Sequence, residues 1–449
     1  MAWNPAYILL ILLCTGVNYI GALRIAKTEK TTVKKFWLIL SLTISLGVLF
    51  IYKYLSFINE SLRSLFTYLN LNYNVKHFDI LLPMGISFYT FQTLSYTIDV
   101  YRNDIKPEKN FFMLSLYVTF FPQLVAGPIE RSDKLLPQFR QEVIFDVNEV
   151  LDGFKIILFG FFKKVVVADR LAIAVNAVYN SPRNFSSIFY IIATILFSFQ
   201  IYCDFSGYSE IALGVAKVLG IDLMRNFDKP YLSKNIKEFW RRWHISLSSW
   251  FRDYLYIPLG GNRMSKTRYY LNIMITFLVS GLWHGANWTF VIWGGLHGLY
   301  QIIGDLTKNF RDKIKSVLKL EGSFILKFVQ VIITFLLVSF AWIFFRANSL
   351  SDAIYIIKNL FSQLDNWRNL NFLYVVANSM ELSFFEFIIG IGSILLLIIG
   401  EFLSKKENLY MKLKNSNTIM EGSFYILLLL IILTMGVYFD ESQFIYFQF

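Results

Sequence analysis

Charged residues are scarce in this sequence. Asp, Glu, Lys and Arg make up 16% of the 449 residues, against roughly 25% in soluble globular proteins. Hydrophobic residues make up 55% and aromatic residues 18%, and the mean hydropathy is +0.49. A chain with so few charges cannot cover itself with a polar surface, so a soluble globular domain is excluded. The composition instead predicts a protein that lies in a lipid bilayer.

Cysteine is almost absent as well. Cys14 and Cys203 are the two cysteines, and both lie in or beside apolar segments with no CxxC or Cys/His spacing. This pattern excludes a disulfide framework and a zinc site. We therefore expect no metal ion and no bound cofactor.

Long apolar runs, in contrast, are abundant. Those long enough to cross a hydrocarbon core of about 30 Å as helices cover residues 5–23, 36–57, 80–98, 150–168, 186–204, 269–283, 286–304, 323–345, 383–403 and 423–439. Two shorter runs, 111–126 and 207–221, are predicted to be either spanning or re-entrant. The sequence predicts an all-α polytopic membrane protein with about ten to twelve membrane segments, folded as a single domain over residues 1–449.

The basic residues fall mostly in short connections between these runs. Residues 24–35, 308–319 and 405–414 are Lys-rich, which places them in the cytoplasm by the positive-inside rule. If both short runs cross, counting crossings then places the connection 222–268, with His244, inside and places the turn 283–286, with His284, and both termini outside. The net charge of +12 therefore predicts topology and not binding to nucleic acid. Met1 to Asn4 carries no basic residue, so the first run is expected to remain as a membrane segment.

One connection combines charge with aromatic residues, WRRWHISLSSWFRDYLYIPLGGNR at 240–263. Its apolar residues recur every three or four positions, which predicts an amphipathic helix or helix pair at the membrane surface. An interfacial anchor would explain the Trp, Tyr and Arg content. It would not explain His244 and Asp253, so a functional site is favoured.

Histidine is rare, since His77, His244, His284 and His297 are the full set. His284 lies between two crossings, beside Trp283 and close to Asn287. Ionisable groups at membrane depth are costly, and imidazole suits proton abstraction near pH 7. The alternative is a histidine satisfied by packing in a helix bundle. His297 fits that alternative better, and His77 is predicted to be an ordinary surface residue.

A second polar cluster, QIYCDFSGYSEIA at 200–212, follows an apolar run. A carboxylate such as Asp204 at that depth needs a partner. The arginines of 240–263 or a buried histidine are the expected partners. Ser206 is not predicted to be a nucleophile, because GYS lacks the strand-turn-helix context of such motifs.

These segments together resemble the membrane-bound O-acyltransferase family, in particular its bacterial alginate and peptidoglycan O-acetylation branch. The resemblance is carried, in the usual order of that branch, by LPMGISFYTFQTLSYTIDVYR (82–102), YVTFFPQLVAGPIER (117–131), QIYCDFSGYSEIA (200–212), NFDKPYLSKNIKEFWRRWHISLSSWFRDYLYIPLGGNR (226–263), GLWHGANWTFVIWGGLHG (281–298) and FAWIFFRA (340–347).

The resemblance implies a helical barrel with a central tunnel, an acyl-CoA donor entering from the cytoplasm and an acceptor outside. It implies that His284 is the catalytic histidine and His244 a second histidine near the cytoplasmic mouth. The expected substrate-binding residues are Trp283, Asn287, Arg241, Arg242, Arg252 and Asp253. The donor expected is acetyl-CoA, the acceptor a cell-surface polysaccharide reached directly or through an extracytoplasmic partner protein, and the location the cell membrane, in contact with membrane lipid.

Three other functions remain open at this point. The first is D-alanyl transfer to teichoic acid, which shares the RWH and WHG motifs. The second is a transporter or flippase without covalent chemistry, and the third is a structural scaffold. The C-terminal segment FDESQFIYFQF (439–449) is predicted to form an interfacial belt or to dock the extracytoplasmic partner, since an exposed aromatic tail of this size would otherwise leave an apolar patch.

Overall fold

The computed structural model describes residues 7–78, 80–319, 322–362, 372–403, 418–438 and 444–445. Every regular element within these ranges is helical, which confirms the all-α prediction. Helices are the expected form of the apolar runs, because a helix satisfies its backbone hydrogen bonds within one segment and lipid offers no partners.

The helices follow the chain in this order. They are α1 (Tyr7–Lys27), α2 (Thr31–Leu49), α3 (Leu55–Tyr68), α4 (Ile86–Arg102), α5 (Phe111–Thr119), α6 (Ser132–Gln138), α7 (Val147–Phe161), α8 (Asp169–Asn180), α9 (Ser187–Val218), α10 (Ile236–Arg242), α11 (Ile245–Phe251), α12 (Lys266–His284), α13 (Trp288–Leu306), α14 (Lys308–Val317), α15 (Phe324–Arg346), α16 (Leu350–Asn359), α17 (Phe372–Ser379), α18 (Phe384–Leu403) and α19 (Thr418–Met435). Short π-helical turns join α2 to α3 and α7 to α8 and follow α11.

Five helical stretches among the described residues are long and apolar enough to cross a membrane. They are α1, the continuous stretch Thr31–Tyr68, α9, α15 and α18. A multi-pass membrane protein is thereby confirmed, whereas the number of ten to twelve crossings stays a prediction.

The two short runs differ from ordinary crossings. Residues 207–221 do not form a separate segment, because α9 continues without a break from Ser187 to Val218. Residues 111–126 form the nine-residue helix α5 and then a series of turns. Neither run forms a separate membrane-spanning helix. Removing two crossings from the predicted topology leaves every connection after residue 221 on the same side of the membrane. The predicted side of the basic connections is therefore unchanged.

The described residues divide into two compact units. The first comprises the described parts of Met1–Asp146 with Leu219–Met224 and Gly285–Asn287. Its helices α1, α2 and α4 are joined by buried polar side chains, since Asn18 donates to Ser45 at 2.9 Å and accepts from Thr97 at 2.6 Å. Such bonds hold helices together where burial of apolar surface gives no driving force. The single-domain organisation of residues 1–449 stays a prediction.

The second unit contains Val147–Val218, Arg225–His284 and the described parts of Trp288–Phe449. Its helix hairpin α12–α13 is unusually close at two glycines. A Cβ on Gly281 would lie 2.3 Å from the carbonyl oxygen of Phe290, and a Cβ on Gly294 would lie 2.2 Å from that of Phe277. Only glycine permits this approach, and the hairpin carries both His284 and His297.

Candidate active site

Three of the four histidines lie in one buried aromatic cluster of the second unit. The ring centres of His244 and His284 are 6.3 Å apart. Trp283 lies beside both rings, at 5.9 Å from His244 and 5.0 Å from His284. Since the hydrocarbon core is about 30 Å thick, the two histidines do not occupy opposite surfaces. The sequence placed them towards opposite mouths of a tunnel, and the structure corrects this by bringing the RWH and WHG motifs together.

His244 is held in an unusual backbone conformation. Its φ is +43°, in the left-handed region, which costs a residue with a Cβ roughly 1 kcal/mol. Asn226 stabilises the bend, because its backbone carbonyl accepts from the N–H of Ile245 at 2.9 Å and its side chain accepts from the N–H of Ser246 at 3.2 Å. Strain of this kind is concentrated at functional sites. Asn226 was not predicted as a site residue, although it is the first residue of the segment 226–263 that carries the family resemblance.

The His244 side chain is fully buried, with its ring 4.6 Å from that of Phe205. Burial lowers the pKa of His244 to about 3, because the charged form cannot be solvated. The imidazole is therefore neutral at pH 7, with one nitrogen able to donate a hydrogen bond and the other to accept one.

His284 ends α12 and is 3% exposed. Its ring lies 4.9 Å from that of Trp293 and 5.5 Å from that of Phe345. Trp293 comes from α13 and Phe345 from α15. These large side chains fix the imidazole in place and exclude water, which strengthens electrostatic effects at the site.

His297 is buried in the same cluster, as the packing interpretation predicted. Its Nδ1 accepts a hydrogen bond from Nε1 of Trp240 at 3.2 Å. Trp240 belongs to α10, so this bond ties the helix before His244 to the hairpin that carries His284. His297 is thus a residue that positions the motifs. His77 is exposed, as predicted.

The segment 240–263 contains the end of α10 and all of α11, which is the helix pair and not the single helix of the two predicted forms. It is more deeply packed than a surface anchor. Trp243 is 1% exposed, and its ring lies 5.2 Å from that of Trp342. Trp240 and Trp250 are each 8% exposed. The Trp residues of this segment are therefore core residues, which is a finding against the interfacial-anchor interpretation.

Three of the charged residues expected to bind substrate, Arg242, Arg252 and Asp253, form local ion pairs. Arg242 bonds with Glu238 at 2.7 Å, and Arg252 bonds with Asp253 at 2.7 and 3.2 Å. Arg241 is exposed. Asn287 lies partly exposed in the connection between α12 and α13. Substrate binding by Trp283, Asn287 and these charged residues stays a prediction.

The partner of Asp204 differs from the expectation. Asp204 is 3% exposed and pairs with Lys164 at 2.7 Å, so its ion-pair partner is a lysine and not one of the expected arginines or histidines. Lys164 also pairs with Asp169 at 2.7 Å. The sequence pattern missed Lys164 because a π-helical turn at Phe162–Ala168 changes which side chains of that segment point towards α9.

The described part of the C-terminal segment is buried, contrary to prediction. Phe444 is 8% and Ile445 2% exposed, and the N–H of Ile445 donates to Asp204 at 2.8 Å. The ring of Phe444 lies 5.1 Å from that of Tyr208 and 6.4 Å from that of Phe205. These two residues form neither an interfacial belt nor a docking surface, and residues 439–443 and 446–449 lie outside the described part of the chain.

Glu130 in the first unit is a further residue that sequence reasoning missed. It is 2% exposed and accepts a hydrogen bond from the N–H of Met224. Burial raises its pKa to about 7, which marks a carboxyl group suited to proton exchange at neutral pH. It lies in GPIER, a segment whose resemblance was noted without a role for the carboxylate.

Glu130→Gln should reduce the pH dependence of stability. In the folded protein Glu130 keeps its proton up to pH about 7, whereas in the unfolded chain it loses it near 4.5. The folded state therefore loses stability as the pH rises through this window, by up to about 1.4 kcal/mol per pH unit. The check is the apparent unfolding temperature of detergent-solubilised protein between pH 5 and 7.5. An unchanged slope in the variant would contradict the shift.

The comparison with known proteins assigns this arrangement to a family. The profile of MBOAT, the membrane-bound O-acyltransferase family, matches residues 108–347, which include both histidine motifs. A probable alginate O-acetylase AlgI of Pseudomonas aeruginosa is 40% identical over 363 residues, covering 80% of this chain and 67% of the relative. The peptidoglycan O-acetyltransferase of Helicobacter pylori is 35% identical over 391 residues, covering 80% and 71%.

A more distant relative is the teichoic acid D-alanyltransferase of Streptococcus thermophilus, which is 30% identical over 246 residues, covering 49% of this chain and 56% of the relative. The chain is a membrane-bound acyltransferase: it belongs to the membrane-bound O-acyltransferase family. Within that family it is most similar, among the three proteins described, to the alginate O-acetylase and the peptidoglycan O-acetyltransferase.

Proposed function

We propose that this protein passes an acetyl group from cytoplasmic acetyl-CoA across the plasma membrane to hydroxyl groups of an extracytoplasmic polysaccharide, directly or through a partner protein. The observation that carries the proposal is the 6.3 Å separation of His244 and His284 within one buried aromatic cluster. Two imidazoles at this distance can act on one thioester carbonyl and its attacking hydroxyl group.

In the proposed reaction His284 accepts the proton of the acceptor hydroxyl as its oxygen attacks the thioester carbonyl. The C–S bond then breaks, and the proton passes from His284 to the departing thiolate, so that an ester and a free thiol result. His284 suits this role because Trp293 and Phe345 hold its ring. His244, neutral at pH 7, donates a hydrogen bond to the developing oxyanion or thiolate.

D-Alanyl transfer is the alternative within the family. The O-acetylation relatives cover 80% of the chain at 35–40% identity, against 49% at 30% for the D-alanyltransferase. This difference in coverage and identity favours acetyl transfer. The transporter and scaffold hypotheses both predict no breakage of a thioester.

Purified protein in lipid nanodiscs should release free CoA from radiolabelled acetyl-CoA when an O-deacetylated polysaccharide and its membrane-associated partner are added. We expect labelled ester on the polysaccharide and none with a D-alanyl carrier protein as donor. Turnover with the D-alanyl carrier instead would establish the alternative, and release of no thiol from either donor would leave a transporter or scaffold.

Arg241→Glu should weaken the donor interaction. Arg241 is exposed on α10, three positions before His244 in the sequence. A cation at this position attracts the phosphates of acetyl-CoA. We expect the KM for the donor to rise by roughly tenfold with a smaller change in kcat, as for contacts equal in ground and transition states. Lys266→Glu is the matched control, since Lys266 is an exposed cation of the same connection 222–268 and is not among the expected substrate-binding residues. Equal effects of the two substitutions would contradict a specific contact.

A further inference from the structure

A cavity of about 320 Å³ lies in the second unit, apart from the histidine cluster. Its walls come from α7, the π-helical turn Phe162–Ala168, α9, the connection 225–229, α18 and α19. Neither His244 nor His284 lines it. Helices α18 and α19 lie outside the range 108–347 that matches the family profile, so this wall of the cavity does not belong to the shared acyltransferase segment.

Part of the cavity lining is apolar and reaches the protein surface. Leu396 of α18 and Leu427 of α19 line it, yet these side chains are 61% and 57% exposed. On a membrane-spanning helix such as α18, exposed leucine faces hydrocarbon. The mouth of the cavity therefore opens among side chains that face lipid, and an acyl chain can enter it without crossing water.

The cavity lining also carries charges of both signs. Its basic residues are Lys163, Arg225 and Lys229, and its acidic residues are Glu210, Asp228 and Glu401. Lys163, which is 7% exposed, pairs with Glu210 at 2.5 Å. Glu401 accepts a hydrogen bond from Tyr202. Arg225 and Asp228 form the exposed rim.

This arrangement complements a zwitterion better than an anion. A phosphate at the rim would meet Arg225 and Lys229, and an ammonium group would meet Asp228 and Glu401. A purely anionic headgroup would gain little binding free energy, because the cavity lining holds as many carboxylates as cations. The rim lies in the connection 222–268, which the basic loops place in the cytoplasm, so the headgroup belongs to the inner leaflet.

We propose that the cavity binds one acyl chain of a zwitterionic phospholipid, phosphatidylethanolamine, with its headgroup at residues 225–229. The volume lies at the lower end of the range for ligand pockets, roughly 300–1,000 Å³, which suits one chain and not a whole lipid. Asn226 lines the same cavity and supports the bend at His244, so an occupied cavity stabilises the segment that carries the second histidine.

The test uses full-length protein in nanodiscs of equal parts phosphatidylethanolamine and phosphatidylglycerol, with a trace of phosphatidylethanolamine that carries a photoreactive diazirine in one acyl chain. We expect labelling of peptides from α18 and α19, and competition by excess phosphatidylethanolamine but not by phosphatidylglycerol. Leu428→Trp fills the cavity from a side chain that is 6% exposed. It should reduce labelling by about tenfold, the loss expected if roughly two methylene groups are displaced.

Leu429→Trp is the matched control, because Leu429 is the next residue of α19, is 42% exposed and does not line the cavity. Asp228→Lys supplies an independent readout that needs no bulky substitution. It should shift the labelling preference towards a phosphatidylglycerol probe. Equal loss in both Trp variants, equal competition by both lipids, or displacement of the probe by acetyl-CoA would each overturn the proposal.

Discussion

His284→Ala should reduce acetyl transfer by roughly 10²–10⁴-fold, the range measured for removal of general acid–base groups. The loss should fall on kcat, because His284 acts in the transition state, while the KM for acetyl-CoA stays within a factor of about two. The measurement is release of CoA together with formation of ester on the polysaccharide, at matched amounts of protein in the membrane.

His284→Gln is the second variant to make. Glutamine keeps most of the volume enclosed by Trp293 and Phe345 and can form hydrogen bonds, but it cannot accept the proton. It should therefore fold with an apparent unfolding temperature near that of the unmodified protein and remain inactive. His77→Ala, at an exposed histidine, controls for the loss of an imidazole elsewhere. Activity retained in His284→Gln would exclude a base role for His284.

Asp204→Leu should produce the largest loss of stability. Removing one partner of a buried ion pair costs about 3–5 kcal/mol, and we expect the lower end because Lys164 keeps Asp169 at 2.7 Å. The N–H of Ile445 also loses its acceptor. The apparent unfolding temperature in detergent should fall. Activity should fall with it, since Phe444 packs on Phe205, and Phe205 packs on His244.

A double-variant cycle separates the two contributions of Asp204. Deletion of residues 444–449 also removes the bond between Ile445 and Asp204, so the deletion and Asp204→Leu should not be additive. Sites in one bonded network differ from additivity by about 0.5–3 kcal/mol. Asp152→Leu is a suitable comparison, because Asp152 is a buried carboxylate that pairs with another lysine, Lys155. If the changes in the free energy of unfolding caused by the deletion and by Asp204→Leu are fully additive, the C-terminal segment does not interact with the carboxylate of Asp204.

Several features of the site could be predicted from residue types alone. The rarity of histidine singled out His284 and His244, and the mixture of aromatic and basic residues singled out segment 240–263. Helix spacing also predicted the helix pair, which the structure confirms as α10 and α11. The break between these helices was not predicted, because it depends on two hydrogen bonds that Asn226 accepts from the N–H groups of Ile245 and Ser246, and Asn226 lies about 20 positions before them in the sequence.

Ion pairing was the least predictable feature. The carboxylate of Asp204 was expected to need a partner, but the candidates considered were the arginines of 240–263 and a buried histidine. Lys164 is 40 positions away in sequence and reaches Asp204 only because α9 packs beside the π-helical turn at Phe162–Ala168. The burial of Phe444 and Ile445 was missed for the same reason, since their partners Tyr208 and Asp204 lie in α9.

The sequence by itself determined the membrane environment, the all-helical class and the two histidine motifs. These follow from composition and local spacing. Backbone groups in lipid must form their hydrogen bonds within the protein, which favours helices, and ionisable groups at membrane depth are rare enough to stand out. Only the tertiary structure decided that His244 and His284 share one cluster, that Asp204 anchors the C-terminal segment, and that a charged cavity opens beside α18 and α19. Each of these depends on contacts between segments distant in sequence. A hydrophobic pattern shows which face of a helix is buried, but it does not show which other helix packs against that face.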